Sequence, residues 1–408
     1  MRPLFLPVAL LLLAAAAPVA GPFTAMRLAL QSAREGDDAD RAPRFEAAIA
    51  AAPGNLEILR EAIAASGDPV RRAQLIDRFA AIGGSFTPGT TAQLLASVPP
   101  TDAARIGTAL VANRDPIERS QPLMAISADL PLIEGIAHDA RRGCYYLSSV
   151  VGRYIHASCS GQLRRLPLAE GVGPILGLAY DGATDRLWFA SAPVFGGAGL
   201  RTGLFAHDFR TGKLIAVALP AGDLNLGDVA LGPAGEVFAA DSRTGAVYRS
   251  RRGEPLETIV PPGVLRSAQG MALAADGRSL YVADYSLGLA RIDLASGAVA
   301  PVVPAAGIGT NGIDGLLRDG RDLIAIQNGW RPARILRLRL SPDGNAIVAA
   351  DVLERGHPSH DDPTHGVIVD GRLVYVANSQ WPKYTESGQL HAGASQSATS
   401  ILALPLRP

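Results

Sequence analysis

A short motif returns six times across the last two-thirds of this chain. Each copy has a small-residue step, usually Gly, then two or three apolar residues, a turn, and an apolar run ending in a polar residue. The copies are Glu134-Gly135-Ile136-Ala137 with Cys144–Ser148, Gly177-Leu178-Ala179 with Leu187–Ala190, and Asp228-Val229-Ala230 with Val237–Asp241. The other three are Gln269-Gly270-Met271-Ala272 with Leu280–Asp284, Asp314-Gly315-Leu316-Leu317 with Leu323–Asn328, and His365-Gly366-Val367-Ile368 with Leu373–Asn378. Successive copies start 42, 51, 42, 45 and 51 residues apart. A period of this length built from short strands is the mark of a β-propeller, one sheet per repeat. The expected fold is therefore mainly β, a six-bladed β-propeller preceded by a small all-α helical domain.

The rest of the composition narrows the partners. Lys and Arg together number 38, as do Asp and Glu. A balanced chain gives no electrostatic footprint for nucleic acid or a membrane surface. Residues 1–20 read as a signal peptide: Arg2 precedes an apolar run from Leu4 to Ala17, too short for a comfortable span and followed by small residues. The expected location is periplasmic or secreted, with no membrane span in the mature chain. The two cysteines, Cys144 and Cys159, flank a turn near Val151 and Gly152. Counting outward from that turn sets them opposite each other on adjacent strands, within reach of a disulfide. An oxidising compartment would favour the bond; two buried thiols remain the alternative at this point.

Residues 24–115 have a different rhythm. Phe45 and Ile49, then Leu56, Leu59 and Ile63, then Leu75, Phe79 and Ile82 recur at helical spacing. Pro53-Gly54, Gly67-Asp68-Pro69, Gly83-Gly84 and Pro99-Pro100 break the pattern. An array of short amphipathic helices follows, faintly similar to tetratricopeptide helix pairs. It reads as a packing cap or as a surface for a protein partner. The propeller occupies residues 120–408. Blade four is expected as Gly270–Ala274 inner, Ser279–Ala283 second, Leu289–Asp293 third and Ala298–Val303 outer. The last repeat ends at Ile401–Leu406 with three strands only, so Pro122–Asp129 should supply its outer strand and close the ring.

Strands alternate in direction within a blade. Inner-strand starts and second-strand ends therefore meet on one axial face. The starts contribute Glu134, Leu176, Gly227 with Asp228, Gln269, Asp314 and His365. The ends contribute Ser148, Ala190, Asp241, Asp284, Asn328 and Asn378. Asp241 and Asp284 read best as caps on the following turn. The first set converges on the channel, and its oxygen-rich chemistry suits a hard cation such as Ca²⁺, which relieves the repulsion of packed carboxylates.

These residues resemble the six-bladed propellers of the senescence-marker protein/gluconolactonase family, relatives of paraoxonases and strictosidine synthases. The resemblance covers roughly residues 122–406. It implies a divalent cation in the channel mouth, with Glu134 in "IEGIAHD" and Asp314 in "IDGLLRDG" at the family's acidic ligand positions and Gln269 in "AQGMALAADG" at its amide position. Gln269 stands where the family has Asn, and Gly227-Asp228 stands where the family has an Asn-Asp pair. It further implies a hydrolase of lactones or related esters, in which the metal polarises a carbonyl while Asp228 or His365 handles protons. A neutral imidazole at His365 would serve as a base. The rival reading is a non-catalytic periplasmic propeller that binds a ligand or a protein.

Three further segments complete the reading. His357-Pro358-Ser359-His360-Asp361-Asp362-Pro363-Thr364-His365 holds three of the seven histidines and so is a candidate for Zn²⁺ or another transition metal. Asn328-Gly329-Trp330-Arg331 and Asn378–Tyr384 read as walls of a pocket for a small organic ligand. No Gly-x-Ser-x-Gly elbow, phosphate loop or haem attachment motif accompanies them.

Overall fold

The structure, a computed structural model, describes residues 21–35, 41–168, 170–195 and 199–407. The signal-peptide reading of residues 1–20 falls outside them. Among the described residues no helix is long and apolar enough to cross a membrane.

Six helices come first: α1 (Pro22–Glu35), α2 (Arg41–Ala51), α3 (Leu56–Ala65), α4 (Pro69–Ala81), α5 (Pro88–Leu95) and α6 (Pro100–Ala112). Their starts follow from local chemistry. The Asn55 side chain accepts from the amides of Glu57 and Ile58, capping α3. Asp68 accepts from Val70 N ahead of α4, whose first residue is Pro69. Phe45, Ile49, Leu56, Leu59, Ile63, Leu75, Phe79 and Ile82, all picked out by their spacing, form one buried core.

The strands that follow make six separate sheets arranged as blades. Each blade runs inner to outer in chain order: Ile133–Asp139 opens blade one, Ile175–Asp181 blade two, Leu226–Leu231 blade three, Ala268–Leu273 blade four, Gly315–Asp319 blade five and Gly366–Val369 blade six. Blade six takes its outer strand from the start of the propeller. Gln121–Ile126 pairs antiparallel with Thr399–Pro405, so the two chain ends share one sheet and the ring closes without an open gap. Blade four differs slightly from expectation. Its outer strand is Val299–Pro301, and Val303–Pro304 crosses to pair in parallel with Ala346–Ile347 of blade five. Pro301 and Pro304 lack the amide a continuous ladder needs, so the strand is split and shared.

The motif's glycines have a steric reason. A Cβ on Gly135 would stand 2.3 Å from the carbonyl oxygen of Leu176 in the next blade. On Gly270 it would stand 2.4 Å from the carbonyl oxygen of Asp314, to which the Gly270 amide donates at 2.8 Å. Neighbouring inner strands thus approach backbone to backbone around the axis.

Cys144 and Cys159 are register partners and are joined by a disulfide. The helical and propeller segments also share their cores. Trp330, from a blade-five loop, is buried among the helices, while Phe23 of α1 is buried with Phe238, Leu265 and Val282 of blades three and four. Hydrogen bonds tie the seam: Asn55 Nδ2 to Ser286 O at 2.7 Å, Leu56 N to Asn311 Oδ1 at 3.0 Å, and Ser85 Oγ to Arg331 O at 2.7 Å. Ser286, Asn311 and Arg331 all lie at second-strand ends or before inner-strand starts. The helices therefore sit on the axial face that carries the channel mouth, over blades four and five.

Candidate active site at the channel mouth

Four inner strands begin with a β-bulge. The register slips by one residue between Ile133 and Ile136, Ile175 and Leu178, Leu226 and Asp228, and Ala268 and Met271. A bulge re-aims the side chain next to it. Glu134 and Gln269 fall within the bulged steps and leave the ladder, while Asp228 stays paired with Ala240 just beyond its own bulge.

His365 of blade six is the hub of the cluster. Its Nε2 lies 3.8 Å from Asp228 Oδ1 of blade three, and the charges of Glu134 and Asp314 act on the same ring. Burial pulls the imidazole toward its neutral form, but Asp228, Glu134 and Asp314 together outweigh it and raise its pKa. The three carboxyls therefore favour the protonated ring more than water would, an influence the residue type alone does not show. Those carboxyls come from distant segments, which no reading of the His365 neighbourhood in the sequence brings together. His365 Nδ1 is buried and has no hydrogen-bond partner.

The carboxylates are shifted too. Glu134 is pushed up to about 8, chiefly by burial, with His365 and the indole of Trp381 opposing. Trp381 Nε1 donates to Glu134 Oε2 at 2.7 Å, so this loop residue does wall the mouth as expected. Burial also raises Asp228, which accepts from Met271 N at 3.2 Å, and Asp314, which accepts from Asn328 Nδ2 at 2.6 Å. Gln269 donates through Nε2 to Ser267 Oγ at 3.1 Å, leaving its carbonyl oxygen without a bond.

Other candidates serve the framework. Asp241 accepts from Arg243 N and Thr244 N, and Asp284 from Ser286 N and Leu287 N, so both cap turns as expected. Ser148 bridges Gly135 N and Leu176 O, and Asn378 bridges Ser400 N and Ala398 O. The histidine-rich loop does not gather all three of its rings: those of His357 and His360 lie 5.6 Å apart, and His365 is separate. His360 Nε2 meets Tyr375 Oη at 2.9 Å beside buried Glu354, while His365 enters the channel. Trp330 is drawn into the helical core and does not line the mouth.

Sequence reasoning passed over Asp362 as a mouth residue. It has a left-handed backbone, φ 68°, and a carboxylate pushed up to about 6 by burial and by Asp314. Ser379 N and Oγ both donate to its carbonyl and hold this conformation. The Asp-Pro step in a polar loop was the available signal.

The donor chemistry fits a hard divalent cation. Burial holds the carboxyls of Glu134, Asp228 and Asp314 above their usual range, a cost that a bound cation would relieve, and no hydrogen bond among the described residues occupies the Gln269 amide oxygen. Among the described residues no three His, Cys, Asp or Glu side chains converge as a ligand set by themselves. A cation here would draw on Glu134, Asp314 and amide oxygens together.

This geometry defines a six-bladed β-propeller with an acidic, histidine-bridged mouth. Its solved structural neighbours include a gluconolactonase from Xanthomonas campestris, at 14% identity, TM-score 0.48, covering 71% of this chain and 96% of that one. Another is the calcium-binding protein regucalcin from Agrobacterium tumefaciens, at 18% identity, TM-score 0.47, covering 71% and 97%. Virginiamycin B lyase from Staphylococcus aureus superposes with TM-score 0.50 at 14% identity, covering 70% and 99%. These likenesses concern the propeller fold. No protein-family model matches the sequence, and no curated protein matches it.

Proposed function

We propose that the protein is an exported hydrolase that opens an ester or lactone at the channel mouth, with a divalent cation of the Ca²⁺ type held by Glu134, Asp314 and the amide oxygen of Gln269. One observation carries this reading: His365 of blade six lies 3.8 Å from Asp228 of blade three, and the carboxyls of Glu134 and Asp314, from blades one and five, act on the same ring. Structural carboxylates disperse; functional ones are held together against their own repulsion. Fold alone would license no reaction.

The bound cation would supply Lewis-acid polarisation of the carbonyl. The proton steps fall to the chain. Asp228 accepts a proton from the attacking water as the new carbon–oxygen bond forms. Charged His365 gives its proton to the leaving oxygen as the ester bond breaks. Trp381 fixes the orientation of Glu134, and Asn328 that of Asp314.

The test is metal content by elemental mass spectrometry, with a panel of lactones and aryl esters, on wild type, Asp314→Ala and His365→Gln. About one divalent ion per chain, lost in Asp314→Ala, with turnover lost in both variants, supports the reading. Turnover unchanged in both variants sinks it.

A second reading is favoured by the seat of the helical segment on the mouth face. There the propeller would bind a small ligand or, through the helices, a protein, without catalysis. Metal binding with no turnover on any substrate of the panel would favour it.

A further inference from the structure

Between α1 and the propeller lies a cavity of about 620 Å³, ample for a small organic molecule. It belongs to neither segment alone. Phe23 anchors α1 in the core of blades three and four, which fixes the direction of the helix's polar face. Arg27, Gln31 and Arg34 recur on that face at helical spacing and line the cavity. The opposite wall is Arg266 and Tyr285. The floor is two glycines back to back: a Cβ on Gly329 would stand 2.6 Å from the Cα of Gly312 and 2.9 Å from the Tyr285 hydroxyl.

Charge bookkeeping around this space favours an anion. Arg34 is committed to Glu61, with its Nε 3.1 and 3.0 Å from the two carboxylate oxygens. Glu57 is committed to Arg60, and Glu35 accepts from Gln31 at 2.8 Å. Among the described residues the side chains of Arg27 and Arg266 have no carboxylate partner. Arg27 Nε is buried with no hydrogen-bond partner at all, which leaves a desolvated guanidinium edge beside an open space. The net charge left for a ligand to meet is positive.

We infer that this cavity is a binding site for a small organic anion, a mono- or dicarboxylate, held by Arg27 and Arg266. Arginine forks match a carboxylate in two parallel bonds, and the cavity is far larger than a lone inorganic ion needs. The site also has a route to the channel. The Tyr285 hydroxyl donates to Asn328 Oδ1 at 3.0 Å, and Asn328 Nδ2 donates to Asp314 at 2.6 Å. Two hydrogen bonds thus separate the cavity wall from a mouth carboxylate. The inference stands apart from the hydrolytic reading, because it requires no metal and no turnover.

Isothermal titration calorimetry on the full chain tests it, with acetate, succinate, glutarate and citrate as probes at low salt. Succinamide serves as the uncharged control and inorganic phosphate as the competing anion. Saturable binding of at least one carboxylate is expected, weakened about tenfold or more in Arg27→Gln and in Arg266→Gln. Arg266 lies on an exposed loop, so its variant keeps the test open if Arg27→Gln perturbs α1; thermal melts check both. Absence of heat with every carboxylate would overturn the proposal. So would equal binding of succinamide, phosphate binding as tight as the carboxylates, or affinity unchanged in both variants.

Discussion

His365 and Asp228 come from blades six and three, half a turn of the ring apart, yet His365 Nε2 and Asp228 Oδ1 are 3.8 Å from each other. The channel is therefore bridged at this level by an imidazole and a carboxylate. Replacing Asp228 by Asn removes the largest of the three charges that raise His365. The His365 pKa should fall, read as an earlier loss of the protonated signal in a histidine NMR titration. An unchanged titration would separate the two groups. If the hydrolytic reading holds, His365→Gln should also cost on the order of 10²–10⁴ in kcat, the usual span for a proton-transfer residue.

Glu134 makes a prediction about pH. Its carboxyl rises from 4.5 to about 8 on folding. Between those values the folded protein keeps a proton that the unfolded chain has lost, so stability must fall as pH rises through the window. His365, also raised, acts in the same direction: its contribution is present below 6.5 and is lost as pH passes its folded value. The metal-free protein should melt at steadily lower temperature from pH 5 to 8.5. Glu134→Gln should flatten that slope and gain roughly 1–3 kcal/mol at pH 8.5. A divalent cation should restore stability to wild type most strongly at high pH. Parallel pH profiles for wild type and variant would show that Glu134 is not buried in its charged form.

The propeller was legible because a repeat states the same local instruction six times. Ring closure followed from counting three strands in the last repeat; hairpin register set Cys144 opposite Cys159, while the sequence left open whether they bond. The mouth residues Glu134, Gln269 and Asp314 were found because the repeat marks the start of every inner strand. What sequence could not give was mutual. The protonation of His365 depends on carboxylates up to 231 residues away, counting back to Glu134. Trp330 looked like a pocket wall because its neighbours are polar, but its indole is buried among helices some 250 residues earlier in the chain. No periodicity in either segment indicates where two segments dock.

Closure of the ring and the disulfide act on different parts of stability. Thr399–Pro405 is held between Gln121–Ile126 and Arg372–Val376, so it is an interior strand of blade six. Deleting residues 399–408 should abolish cooperative unfolding altogether. Cys144 and Cys159 close a loop with a sequence separation of 15. Constraining a loop of that size in the unfolded chain is worth about 3 kcal/mol. A Cys144→Ala/Cys159→Ala variant should lose roughly 2–4 kcal/mol in urea unfolding and keep its fold. A truncated chain that melts like wild type, or a double variant of equal stability, would contradict the respective argument.

Trp330 sets how tightly the helices are bound to the mouth face. It is 2% exposed, donates through Nε1 to Asn311 O at 2.8 Å, and lies under the Arg334 guanidinium at 3.7 Å from the ring centre. Arg334 in turn donates to Ile82 O at 3.1 Å, at the end of α4. Trp330→Ala would leave a cavity in the helical core and strip the stack from a buried cation, a change expected to cost about 3–5 kcal/mol. The loss should fall on the seam and spare the blades, because Trp330 packs with the helices. Calorimetry should then resolve a helical transition below that of the propeller. Limited proteolysis should cut first between residues 113 and 120, the connection between α6 and the first strand. A single transition at the wild-type temperature would mean that the seam is held by Asn55, Ser85 and Phe23 without Trp330.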